Sequence, residues 1–444
     1  MRKEILELIE KNEYVKAREY LSKMNVVDIA EFMEELDNER LLIVFRILPK
    51  EIASDVFSYI SNELQQYIIE SINDKEIKTI IDDLFFDDTI DLLEEMPSNV
   101  VSKILKNTDE ERRKLINQFL NYPEDSAGSI MTIEYVSLKR TMTVAEALKH
   151  IKKTGIDKRT IHTCYVINSK RILEGVISIR TLILSDDDVV IEDIMEKKVI
   201  YAHTIDDQEK IAALFKKYDI VTMPIVDKEC RLVGIVTIDD VVDIIEQENT
   251  EDIQKMAAME PSEEEYLKTS VFVLAKHRIV WLLVLMVSAI FTGNIIRKYE
   301  NVLQSVVVLA SFIPMLMDTG GNAGSQSSTL IIRGLALGEI KLDDILKVLW
   351  KELRVGILVG TVLAGFNFVR IYFLDKVGFN ISITVCISLF FTVILAKFVG
   401  GMLPIIAQKL KVDPAIMASP LITTIVDAVA LMIYFSSATF FLGI

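Results

Sequence analysis

Past Leu274 the chain becomes a succession of apolar runs broken by short basic or glycine-rich loops, and no other feature restricts the fold as much. Five runs stand out, at 279–296, 302–317, 355–374, 381–407 and 415–442. A helix rises about 1.5 Å per residue, so each spans or nearly spans the ~30 Å of hydrocarbon in a bilayer. The second is short if it stops at Asp318, and is expected to extend into the polar, small-residue stretch beyond. Nearly all the long polar stretches precede Leu274, so a soluble portion comes first and a membrane portion second. With 444 residues the chain also exceeds one ordinary domain.

Charge placement orients the membrane portion. Lys276, His277 and Arg278 precede the first run; Arg333, Lys341, Lys347, Lys351 and Arg354 fill the second loop; Lys409 and Lys411 sit in the fourth. The other two loops carry Arg297, Lys298 and Lys376. Basic loops stay inside, which predicts a multi-pass protein of the inner (plasma) membrane with its N-terminus cytoplasmic and its C-terminus outside. Met1 to Tyr14 alternates charged and apolar residues in helical fashion rather than as a secretion signal, in agreement. A net charge of −16 argues against nucleic acid as a partner and favours a cation. Cys164, Cys230 and Cys386 have no paired spacing, so neither a disulfide framework nor a thiolate metal site is expected.

Up to about Tyr122 apolar residues recur at three and four positions, as in Leu41, Val44, Phe45, Leu48 and Ile77, Ile80, Ile81, Leu84, which predicts a stack of short helices. Pro49, Pro97 and Pro123 mark the turns between them. Between about Gly128 and Gln247 short β-branched strands alternate with amphipathic helices, and the pattern occurs twice. One copy runs through Met131, a helix from Thr143 to Thr154, and strands at 164–168 and 174–179; the other runs through Met195, a helix from Asp207 to Tyr218, and strands at 223–227 and 233–238. Met223-Pro224-Ile225-Val226 and Gly234-Ile235-Val236-Thr237 resemble the strands of a tandem pair of CBS domains. A charged, helical connector over 250–266 is expected to lead into the membrane.

Two features of the membrane portion fit lipid-facing structure poorly. The first is Pro314 to Gln326, where an apolar run gives way to Asp318-Thr319-Gly320-Gly321-Asn322-Ala323-Gly324-Ser325 without becoming a charged loop. Either a broken helix end lining water or a tight contact through small residues accounts for it. The second is Asp427, inside a long apolar run with no basic residue near it. A carboxylate there is by default functional, the alternative being an Asp held neutral or hydrogen-bonded between helices. Thr423 and Thr424, four and three positions earlier, share its face, and Pro420 is expected to kink the helix. In the soluble portion Asp87, Asp88 and Asp91 crowd one turn, Asp240 and Asp243 share a face, and Glu248, Glu251 and Asp252 follow. Packed together without cations, such groups repel.

The segment ending Gly-Gly-Asn-Ala-Gly-Ser-Gln at Gln326, the Asp413-Pro414 pair, and Pro420-x-x-Thr423-Thr424-x-x-Asp427 resemble the MgtE family of magnesium channels over almost the whole chain. The resemblance implies a multidomain fold: an all-α acidic N-domain over 1–127, an α/β CBS pair over 128–248, a connecting plug helix over 249–274 and an all-α transmembrane domain of five helices over 275–444. It implies a homodimer in lipid with a pore on its axis, Asp427 as the ion-selecting carboxylate, and Asn322 and Gly321 in the second-span motif. It further implies that Asp55, Asp87, Asp88, Asp91, Asp219, Asp240, Asp243, Glu248, Glu251 and Asp252 bind cytosolic Mg2+ and close the pore. Ala430 departs from the glycine that many members carry there. Mg2+ sheds its waters reluctantly, so a pair of carboxylates can hold it hydrated.

Thr237 and Asp240 also fit the CBS nucleotide pattern, a hydroxyl and a carboxylate holding a ribose, so ATP at the CBS pair is another use of Asp240. No Walker-type loop or catalytic constellation of His, Cys or Ser suggests an enzyme. The remaining alternatives are a carrier of another divalent ion such as Co2+, a CBS-regulated anion channel, and a nucleotide-sensing membrane protein. Cys386 as the one thiol in the spans disfavours the first, and Asp427 disfavours the other two.

Overall fold

The structure, a computed structural model, describes all residues except Met1, 263–265, Lys268, Ala418 and Ile444, and leaves out the side chains of Glu51 and Ser419. The chain divides into two units, Met1–Ile244 and Ile245–Ile444.

In the first unit ten short helices run from Arg2 to Phe119. Each turns one apolar face inward, as Ile77, Ile80 and Ile81 do from Asp74–Asp83. Asn73 caps that helix by accepting from the Lys75 and Glu76 N–H groups, while the Glu76 carboxylate returns to the Asn73 N–H. Pro49 and Pro97 stand at N-cap positions, where the donor they lack is not needed. The buried core is continuous from these helices into the second CBS copy, through Phe86, Phe119, Met131, Phe215 and Met223.

The CBS pair forms two sheets of identical topology. In the first, β1 (Ser137–Leu138) lies parallel to β2 (Thr163–Ile167), which pairs antiparallel with β3 (Leu173–Ser178). In the second, β4 (Ala202–His203), β5 (Thr222–Val226) and β6 (Leu232–Thr237) repeat this arrangement. Thr163 opposes Ser178 as Thr222 opposes Thr237. Each copy is completed by the other's leading segment: Met131 fills the space where a side chain at Gly234 would go, and Met195 does the same at Gly175.

The helix Ile238–Met256 runs without interruption from the last CBS strand into the region where a separate plug helix over 249–274 was expected. No further helix is present among the described residues until Val271. The connector is therefore the far half of one rod.

Four segments of the second unit, Val271–Lys298, Leu342–Leu374, Phe379–Lys409 and Pro414–Leu442, are long and apolar enough to cross a membrane. The expected span at 302–317 is not one helix. It divides into Glu300–Ser305, a 3-10 turn at Val307–Phe312, and the start of a helix over Ile313–Ala336. That helix passes unbroken through the glycine and amide stretch, so the broken-end alternative is overturned, and its Gly, Ser and Gln content keeps it out of the apolar set. Lys276, His277 and Arg278 lie inside the first long helix, and His277 Nδ1 is 3.9 Å from Glu260. Pro420 sits in the first turn of Ser419–Leu442 and starts the helix instead of kinking it.

Candidate functional site

The acids of the first unit meet at the start of the helix Phe86–Glu95. Its N-terminal N–H groups need an acceptor, and Glu134 from the CBS pair supplies one, taking the Phe86 N–H at 3.0 Å. Docking the helix end this way buries Asp87 to 5% side-chain exposure beside Asp88 and Asp240. A cation not anticipated among them is present: Arg159, from the loop before β2. Its guanidinium lies 3.7 Å from Asp87, 3.8 Å from Asp88, 2.9 Å from Asp239 and 3.5 Å from Asp240. It also stacks over the Phe85 ring at 4.8 Å.

Burial first, and the Asp87 charge second, raise the Asp88 carboxyl to about 7 and the Asp240 carboxyl to about 6. The same causes raise Asp91, although its side chain is exposed at the surface, which tempers the burial contribution. Both Asp87 oxygens are buried without a hydrogen bond. That unmet charge suits a cation, but the seat around it is taken by the guanidinium. Among the described residues no three carboxylates, imidazoles or thiols converge as a metal-ligand set. The acids Asp87, Asp88 and Asp240, which the resemblance assigns to Mg2+, thus face the Arg159 guanidinium in this structure.

The other expected ligands are dispersed. Asp55, Asp219 and Asp243 are exposed, and Asp219 caps its helix in left-handed geometry at φ 51°. Glu248, Glu251 and Asp252 follow on the Ile238–Met256 rod. There Lys255 binds Glu251 and, at 2.7 Å, Asp413. Burial and the Asp413 charge raise Asp252. Asp413 in turn accepts the Ala415 N–H at 2.8 Å, tying the rod to the segment that leads into the last helix. Neither Arg159 nor Lys255 was singled out from the sequence, because the Arg159 carboxylates and, for Lys255, Asp413 lie far away along the chain.

Thr237 donates to Asp240 at 2.6 Å, and in the other copy Ser178 and Thr181 make the matching contact at 2.8 Å. A cleft of about 650 Å³ opens at the Ser178 end, lined by Tyr165, Thr181, Tyr218, Asp219 and Thr222 among others. Residues of both copies line it, and Thr237 and Asp240, where the nucleotide pattern was read, are not among them.

In the second unit a glycine stripe on Ile313–Ala336 sets the packing. A side chain at Gly321 would meet Thr423, one at Gly320 would meet Thr392 and Val426, and one at Gly324 would meet Ile422. Gly321 is therefore a contact residue against the last helix. The opposite face of the same helix leaves Asn322, Gln326 and Thr329 exposed. Asp427 is half-buried, and the Asp318 carboxylate is near enough to repel it. Asp318 lies in the second turn of its helix, which continues well beyond it. Thr423 and Thr424 both donate to the Pro420 carbonyl at 2.9 Å, which spends their hydrogens and leaves their lone pairs as acceptors. A buried charge missed in the sequence is Glu352, 8% exposed, which takes the Ser327 hydroxyl; that oxygen is also 3.4 Å from Lys397, itself 5% exposed.

Residues 313–437 match the family described as MgtE divalent cation transporters, residues 24–125 its intracellular N domain, and residues 127–186 and 191–247 the CBS domain. The magnesium transporter MgtE of Thermus thermophilus is 36% identical over 95% of this chain and 94% of its own length. That of Bacillus subtilis is 32% identical over 96% and 94%. The solved cytosolic domain of the Mg2+ channel MgtE in complex with ATP is 34% identical and aligns with a TM-score of 0.53, over 55% of this chain and all of that one.

Proposed function

The chain belongs to the MgtE family of divalent cation transporters, and from that premise we propose that it is a Mg2+-selective channel or transporter of the inner membrane with Asp427 as its pore carboxylate. The observation that carries this is the half-buried Asp427 with Asp318 near it, together with the exposed Asn322, Gln326 and Thr329 face of Ile313–Ala336, in a unit otherwise built of apolar helices. Such a face is costly against lipid and fits the water-filled axis of a homodimer, with Ile313–Ala336 as the second of five spans. On that axis two Asp427 carboxylates would draw in a hydrated Mg2+, whose waters donate to the Thr423 and Thr424 lone pairs. Hard oxygen donors favour Mg2+ over softer ions such as Co2+. The N-terminus lies in the cytoplasm and the C-terminus outside.

Cytosolic Mg2+ closes the pore by binding to acids of the soluble portion and of the rod, Asp91, Asp243 and Asp252 among them. The Lys255 contact with Asp413 carries that change toward the last helix. ATP, held by the related cytosolic domain, would enter the cleft at Ser178 and Thr181.

Patch recordings test this. The wild-type chain should pass a Mg2+ current that cytosolic Mg2+ shuts, and an Asp91→Asn, Asp243→Asn, Asp252→Asn triple variant should need about tenfold more Mg2+ to shut, since lost ligands remove differential affinity. No wild-type Mg2+ current contradicts the transport assignment. Unchanged inhibition in the variant removes these three positions from the sensor.

A further inference from the structure

We propose that Arg159 is the resident cation of the acidic seat between the N-domain and the CBS pair, so that docking at this interface does not wait for Mg2+. The inference rests on the Mg2+-sensing reading above and assigns this seat a different occupant. Two separate parts of the fold supply the negative charge: Asp87 and Asp88 at the start of Phe86–Glu95, and Asp239 and Asp240 at the start of Ile238–Met256. The positive charge comes from the first CBS copy and reaches all of them at once. A guanidinium suits such a seat, because its charge is permanent and spread over a planar fork that contacts several carboxylates.

Its position is fixed from every side. The Arg159 backbone N–H donates to the Glu134 carbonyl at 3.0 Å, and the Glu134 carboxylate accepts from Phe86 N–H and from Thr132. The Phe85 ring closes over the guanidinium. Arg159 is 18% exposed and Asp87 is 5% exposed, so water screens the pair little. Without Arg159, Asp87 would remain buried with neither a hydrogen bond nor a neutralising charge, and the helix end would have to leave the CBS pair or bind another cation.

The test uses the full chain in nanodiscs with Cys230→Ser and spin labels at the exposed Glu70 and Lys153. With EDTA the otherwise wild-type protein should show one short distance that added Mg2+ leaves in place. Arg159→Gln should lower the docked-to-undocked ratio in EDTA at least about tenfold, because it leaves the buried Asp87 charge without its counter-ion, and Mg2+ should restore the short distance. Adding Asp87→Asn to Arg159→Gln removes the stranded charge and should restore docking in EDTA, which a variant that had merely failed to fold could not do. The proposal is overturned if Arg159→Gln stays docked in EDTA, if the double variant stays undocked, or if the wild type itself needs Mg2+ to dock. Mg2+ flux on the same samples separates the two readings: all of them should carry Mg2+, and absent flux would remove the transport assignment without altering the distances.

Discussion

Asp427→Asn should leave a folded, dimeric protein that has lost its preference for Mg2+. An Asn amide has the size of the carboxylate and hydrogen-bonds as well, and it removes a charge that is costly within a span, so packing against Val426 and Ile422 should persist. What disappears is the attraction scaling with ion charge, which two carboxylates exert about twice as strongly on a divalent as on a monovalent ion. Because Asp318 is close enough to act on Asp427, Asp318→Asn should share part of the defect. A purified Asp427→Asn protein carrying Mg2+ at unchanged rate and with unchanged preference over Na+ and K+ would remove the residue from the pore.

Gly400→Leu should prevent the second unit from assembling. A Cβ at Gly400 would run into the backbone oxygen of Gly324, and no side chain there can swing aside. The helices Ile313–Ala336 and Phe379–Lys409 would have to part along the glycine stripe, a loss of ~3 kcal/mol or more for an overpacked core. Gly365 is a control on the neighbouring helix, since a side chain there meets nothing within 4 Å. Size-exclusion profiles in detergent should show Gly365→Leu monodisperse and Gly400→Leu aggregated. Equal behaviour of the two would show that the close approach does not hold the unit together.

The internal CBS repeat was legible because period-two and helical patterns recur at matched spacing, and the strand registers repeat it residue for residue. Asp427 was legible because a charge in an apolar run stands out on its own. The 302–317 stretch was misjudged because hydropathy is equally high in an α-helix and in the 3-10 turn that forms at Val307–Phe312. The helix through Gly320 and Gly324 was hidden for the opposite reason: glycine opposes helix in isolation, and here close packing overrides that preference. Arg159, Lys255 and Glu352 escaped notice because each acts through a partner distant in sequence. Glu352 also stood among the basic residues Lys351 and Arg354, where it looked like part of a loop.

The central claim is that this chain moves Mg2+ and is shut by Mg2+ on its soluble side. It is tested most directly by flux into proteoliposomes of oriented protein with Mg2+ varied separately on each side. Mg2+ entry should rise with Mg2+ on the membrane side and fall as Mg2+ rises on the side facing the soluble portion. Entry that equals that of protein-free vesicles, or that is indifferent to the soluble-side concentration, would contradict it.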